Sequence, residues 1–135
     1  KSILILRLSA ILGEGCHSTF LSNLKYRFSK KQCVKIYNKD DLFNSCLHIN
    51  DLSRFIEKNL TNFKNNYDIA NIASYRPVKL EKVINLYKKK YKNIKVVYSQ
   101  VRTPTYIVNV NKAVKKYKLR KINTYSTVKK YLNLD

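Results

Sequence analysis

Ile3, Leu4, Ile5 and Leu6 form one unbroken apolar run with β-branched members. A run without polar alternation reads as a strand covered on both faces, as in a parallel sheet. Gly13 and Gly15, the only glycines of the chain, end it.

The rest of the chain alternates between helical and extended patterns. From Thr19 to Lys30, the spacing of Phe20, Leu21, Leu24 and Phe28 puts apolar groups on one helical face, with Ser18 or Thr19 as cap. Val34, Ile36 and Tyr37 predict a short strand, and Asn38 to Asp41 a turn. Leu42 to Ile49 reads as another extended stretch, after which Asn50 or Asp51 caps a helix whose inner face carries Leu52, Phe55, Ile56 and Leu60. Asn62 to Asn66 is a polar loop, and Tyr67, Ile69 and Ile72 alternate as a strand does. Pro77 precedes an amphipathic helix from about Lys79 to Lys92, with Leu80, Val83, Ile84 and Tyr87 inward and lysines outward. Ile94 to Tyr98 is a further strand, Pro104 breaks the next loop, and helices near Asn111 to Tyr117 and Thr127 to Leu132 complete the pattern. Strands alternating with helices predict an α/β fold with some mixed pairing.

Composition narrows the function. Hydrophobic residues make up 44% of 135, enough for a core, so a disordered chain is excluded despite a formal charge of +20. Of the 28 basic residues 22 are Lys, and Asn, Ile and Tyr are also abundant. A/T-rich codons favour that set, so the charge can record genome composition. It leaves one alternative function, a small basic nucleic-acid-binding module. Its phosphate footprint would be Lys88, Lys89, Lys90 and Lys92 with Tyr87 and Tyr91, and Lys115, Lys116, Lys118, Arg120 and Lys121 with Tyr117. Cys16, Cys33 and Cys46 have neither disulfide-framework nor metal spacing, so reduced thiols, no metal and a cytoplasmic location are expected. No apolar run approaches the roughly 20 residues that span a bilayer, so no membrane contact is expected. A sequence that opens at Lys1 and contains no Met is expected to be a piece of something longer.

Four blocks, in order, carry a family resemblance. Arg7 to Gly15 (RLSAILGEG) resembles the "LRxxxxxGxG" strand end and loop of the NAD-dependent epimerase/dehydratase family, the extended short-chain dehydrogenases that remodel nucleotide sugars. Phe43 to Leu52 (FNSCLHINDL) is similar to that family's "RDFVYVDDLA" segment, and Tyr67 to Ser74 (YDIANIAS) to its "YNIGSG". Arg102 and the stretch Asn109 to Ala113 fall where the family has an Arg and then a "DxSKA" helix start.

The resemblance implies the C-terminal part of a Rossmann-type fold with a small α/β substrate-binding lobe. Residues 1–13 and 43–73 would be the last elements of the Rossmann domain, and 14–42 and 74–135 the lobe. It implies NAD or NADP bound mainly by a missing N-terminal half, which would also hold the catalytic Tyr-x-x-x-Lys pair. No catalytic residue is then expected in this chain, and alone it is expected to be inactive. Its partner would be a nucleotide-sugar substrate, with no specific nucleic acid, in a full-length enzyme that can be a homodimer.

By the same resemblance Leu8, Ser9 and Ala10 border the reactive end of the cofactor. Many sugar epimerases of the family carry Asn where Ala10 stands. Thr19, Phe20, Lys35, Tyr37, Asn44, His48 and Arg102 fall at substrate-binding positions. Thr19 and Phe20 start a helix that points at the anion, Tyr37 would stack on the base, and Asn44 and Arg102 occupy the two places where the family clamps the diphosphate with Arg. His48 stands where the family has Tyr or His. Tyr26/Lys30, Tyr75/Lys79, Tyr91/Lys95, Tyr117/Lys121 and Tyr125/Lys129 also show Tyr-x-x-x-Lys spacing. With 11 Tyr and 22 Lys, chance supplies such matches, and all five are expected on solvated surface.

Overall fold

The computed structural model describes residues 2–61, 63–64 and 67–134. Asn62, Asn65 and Asn66 of the expected polar loop lie outside the described residues. The first half runs β1 (Ile3–Leu8), β2 (Ala10–Leu12), α1 (Phe20–Ser29), β3 (Val34–Ile36), β4 (Leu42–Phe43), β5 (Cys46–His48) and α2 (Ile49–Leu60). It continues with β6 (Tyr67–Ile72), β7 (Val78–Lys79), α3 (Leu80–Lys90), β8 (Val96–Tyr98), α4 (Asn111–Tyr117) and α5 (Thr124–Tyr131). The strands pair as β1 with β6, β2 with β5 and β3 with β8, all parallel, and β4 with β7, antiparallel.

Two apolar clusters hold these elements together. In the first, α1 and α3 meet through Leu21, Leu24, Phe28, Val83, Ile84 and Tyr87, the stripes that helical spacing predicts. Phe28 and Tyr87 pack with ring centroids 5.7 Å apart, and the buried Tyr87 hydroxyl donates to the Leu21 carbonyl at 2.7 Å. Burying each large side chain of this kind contributes about 1.5–3 kcal/mol, and the hydroxyl bond removes the penalty of hiding a polar group. In the second, Leu47, Leu52, Phe55, Ala70, Ile72, Ala113 and Val114 join α2 and α4 to the inner face of β1 and β6. Asp68 on β6 fastens α4 by accepting from Lys112, Lys116 and the Tyr117 hydroxyl, and those donors hold its carboxyl well below the usual range.

Several expectations change. β1 is covered on one face: Leu4 and Leu6 pack inward, while Ile3 is 52% and Ile5 41% exposed. Among the described residues β6 is its pairing partner and no element covers the opposite face. The stretch Leu42 to Ile49 is two short strands, because the Cys46 amide turns back onto the Asn44 carbonyl at 2.7 Å. The cap of α2 is His48, whose Nδ1 accepts from the Asn50 amide at 3.2 Å, and so Ile49 is already helical. Asp51 is instead buried in the first turn, with Lys130 of α5 3.9 Å away. Only Leu52 and Phe55 of the expected inner face of α2 are buried; Ile56 and Leu60 face outward. α5 begins earlier than expected because the Asn123 side chain caps it through the Ser126 amide.

Gly13 has a packing reason. A Cβ there would stand 2.6 Å from the Ile49 side chain, so the glycine lets the loop after β2 close onto the start of α2.

Candidate functional site

β1 and β6 end side by side at Leu8 and Ile72, and the Ser9 amide donates to the Ile72 carbonyl at 2.9 Å. The crevice beyond the carboxyl ends of parallel strands is the ordinary ligand position in open α/β folds. Here it holds a cavity of about 1000 Å³. Leu8, Ser9, Ala10, Thr19, Phe20, Lys35 and Tyr37 all line it, brought together from β1, β2, the start of α1 and the end of β3.

Each of these positions has a local cause. Thr19 caps α1 in a capping box: its Oγ1 accepts from the Ser22 amide at 3.1 Å and its own amide donates to Ser22 Oγ at 2.9 Å. That leaves the Phe20 and Leu21 amides of the first turn without intrahelical acceptors, at the end of the helix where the dipole favours an anion. Lys35 carries its ammonium 5.3 Å from the centre of the Tyr37 ring, so a cation and an aromatic face stand together on one wall. Phe20 packs on Phe43 with ring centroids 6.0 Å apart. Ser9 Oγ is buried and has no hydrogen-bond partner. A hydroxyl in that state is a costly feature unless something meets it.

The opposite wall is residues 103–109, part of an irregular strap between β8 and α4. Three side chains of the 38–44 segment hold it. The Asn38 amide donates to the Thr103 carbonyl at 2.7 Å and accepts from the Thr103 amide at 3.1 Å. Asp41 accepts from Arg102 at 2.5 Å and from Thr105 at 2.9 Å. Asn44, 1% exposed, donates to the Ser74 and Val108 carbonyls at 3.0 and 2.9 Å and accepts from the Val108 amide at 2.9 Å.

Asn44, His48 and Arg102 therefore stand outside the cavity lining. Asn44 supports the wall from beneath, His48 caps α2, and the Arg102 guanidinium is turned to Asp41 at the rim. Burial first, and then the nearby Lys130, lower the His48 pKa, with Asp51 opposing. Sequence reasoning missed Arg7, Asn38, Asp41, Phe43, Ser45, Asn71 and the strap, all of which line the cavity. Arg7, Phe43, Ser45, Asn71 and, at the end of the strap, Asn109 had a signal, since they lie inside motifs already singled out; residues 103–108 had none.

None of the Tyr-x-x-x-Lys tyrosines lines the cavity. Three depart from the expected solvated position: Tyr75 and Tyr91 are half-buried against the two apolar clusters, and Tyr117 is 5% exposed and bonded to Asp68. Within the basic clusters Lys88 donates to the Tyr98 hydroxyl and Lys116 to Asp68. Among the described residues no group of three or more His, Cys, Asp and Glu is placed to hold a metal, and no helix is long and apolar enough to cross a membrane.

No protein-family model and no curated protein matches the sequence. Solved structures do match the fold. An ADP-L-glycero-D-manno-heptose-6-epimerase from Helicobacter pylori superposes with a TM-score of 0.74 at 14% identity, over 98% of this chain and 43% of its own. A UDP-glucose 4-epimerase from Thermotoga maritima, solved with UDP-glucose, gives 0.69 at 18% identity, over 96% of this chain and 44% of its own. A dTDP-glucose 4,6-dehydratase from Bacillus anthracis, in complex with NAD, gives 0.68 at 14% identity, over 96% and 43%. The fold is that of the C-terminal part of Rossmann-type enzymes, and the chain spans less than half the length of these structures.

Proposed function

We propose that this chain is the substrate-holding part of an NAD(P)-dependent enzyme acting on nucleotide sugars, with the dinucleotide held mainly by residues outside it. One observation carries the reading: seven residues singled out at cofactor- and substrate-binding positions line a single cavity of about 1000 Å³ beyond the ends of β1 and β6. The fold likeness supports the same assignment.

The dinucleotide, when bound, would accept and return a hydride at a sugar carbon. The fit of this chain to it is partial. Leu8, half exposed, and the unpaired Ser9 hydroxyl offer an apolar face and a polar atom for a nicotinamide amide. Gly13 is packed on Ile49, and the phosphates of the dinucleotide would be held by residues outside the chain. The chain's own work is then binding and orientation, which alone can supply several kcal/mol of a barrier. Tyr37 would take a base on its ring face. Lys35 and the open amides of α1 would take the diphosphate, while Asn44 would act by holding the wall. The proton-transferring pair would come from outside the chain.

The test is titration of the intact gene product with a panel of nucleotide-diphosphate sugars, and with NAD and NADP, by calorimetry. At least one sugar nucleotide is expected to bind, and Tyr37→Ala to weaken it about ten-fold, the usual worth of one base stack. Absence of binding across the panel, or a Tyr37→Ala protein that binds as tightly as the wild type, would overturn the reading.

A further inference from the structure

We propose that the chain carries a second anion site away from the cleft: the pocket between the carboxyl ends of α2 and α4, which fits a small polyanion of the phosphate class. The site does not depend on the function read from the cleft.

Cleft and pocket lie at opposite ends of α4. Asn109, just before the helix, lines the cleft, whereas Tyr117 and Lys118, at its close, line the pocket. The pocket measures about 320 Å³ and shares no lining residue with the cleft. That volume is at the small end of ligand sites.

Lys58, Lys64, Lys116 and Lys118 bring four ammonium-bearing side chains to its wall, and among the described residues no Asp or Glu lines it. Lysines at helix ends commonly satisfy the last carbonyls. Here other groups fill most of that role. The Asn59 side chain donates to the Phe55 and Tyr117 carbonyls at 2.8 and 3.0 Å, which ties one helix end to the other. The Phe63 amide donates to the Asn59 carbonyl at 3.1 Å, and the Leu119 amide to the Ala113 carbonyl at 2.9 Å. Lys118 reaches the Lys115 carbonyl only at 3.4 Å, and Lys116 is shared with Asp68 at 2.6 Å. Each helix end presents about half a negative charge and Asp68 a whole one, so four ammoniums leave the pocket positive.

The floor is apolar and fixed. Phe63 packs on Tyr117 with ring centroids 6.1 Å apart, and both belong to the second apolar cluster. Such a floor keeps water from one side of a bound anion, which strengthens the attraction from the other. Each ammonium there is a point charge on a flexible stem with three donors. Several such charges suit a chain of phosphates better than a single carboxylate.

The intact gene product would be titrated with sodium tripolyphosphate by calorimetry at about 0.15 M salt, where distant charges are screened. Lys64→Gln/Lys118→Gln is expected to weaken binding about ten-fold, the loss of two exposed charge-assisted bonds. Lys89→Gln/Lys90→Gln removes the same charge from the end of α3, where neither residue lines the cleft or the pocket, and should leave the affinity unchanged. In a Lys35→Gln background, where the cleft has lost its ammonium, the effect of the first pair should persist. Equal weakening by the two pairs would mean general charge attraction and would overturn the site. So would binding lost in Lys35→Gln yet untouched by the first pair, or a wild type that does not bind tripolyphosphate. A single-stranded oligonucleotide that binds far more tightly, with a steep salt dependence, would replace the small polyanion by a nucleic acid and overturn it too.

Discussion

At the residue scale, His48 ties the stability of α2 to pH. Its Nδ1 accepts the Asn50 amide, so the cap of α2 exists only with a neutral ring. Burial and Lys130 hold its pKa below the ordinary 6.5 in the folded state. The unfolded chain then takes up the proton at a higher pH than the folded one. The stabilisation is complete above the ordinary histidine range and is lost as pH falls through the depressed folded value. His48→Ala should cost about 1 kcal/mol at neutral pH. His48→Asn, which keeps a capping acceptor without a titrating ring, should flatten the fall in stability between about pH 7 and pH 5. Urea melts at the two pH values check both. Sequence reading saw His48 and Asn44 as ligand candidates because of their place in a motif. It could not see that each spends its polar atoms on backbone, Asn44 on groups 30 and 64 positions away.

At the scale of elements, the starts of α1 and α3 border the cleft, and beside their apolar contacts a polar link joins them, the Tyr87 hydroxyl on the Leu21 carbonyl. Tyr87→Phe should cost about 1 kcal/mol and loosen the first turn of α1, read as lower thermal stability with faster exchange at the α1 amides. Equal stability would mean that the bond contributes nothing net. These helices were legible because a 3.6-residue period repeats several times within Leu21, Leu24, Phe28 and within Val83, Ile84, Tyr87. β2 and β7 were not, and β4 was read as one stretch with β5, since two or three residues carry no period and their partners lie far along the chain. The strap was illegible for a similar reason, its conformation being written in Asn38, Asp41 and Asn44 rather than in itself.

At the scale of the whole molecule, the open face of β1 and β6 stands out. Ile3, Ile5 and Tyr67 are exposed on it, although parallel strands are normally covered on both faces. Ile5→Lys should change the unfolding free energy of the 135-residue chain by no more than about 1 kcal/mol, whereas Ile72→Ala, on the packed side, should cost about 2–5 kcal/mol. On the proposed function, the same Ile5→Lys change should abolish turnover in the longer protein by spoiling the surface against which its other part packs. Denaturant titration and an activity assay separate the two effects.

The parallel pairing has one more outcome. Among the described residues β1 meets β6 at residues 67–72 and β2 meets β5 at 46–48, so each pair can close only after some sixty and some thirty-five further residues, respectively, have come off the ribosome. Until β6 arrives, the backbone of Ile3 to Leu6 lacks its neighbour on that edge, so synthesis halted before residue 72 is expected to leave it open to pairing with other chains.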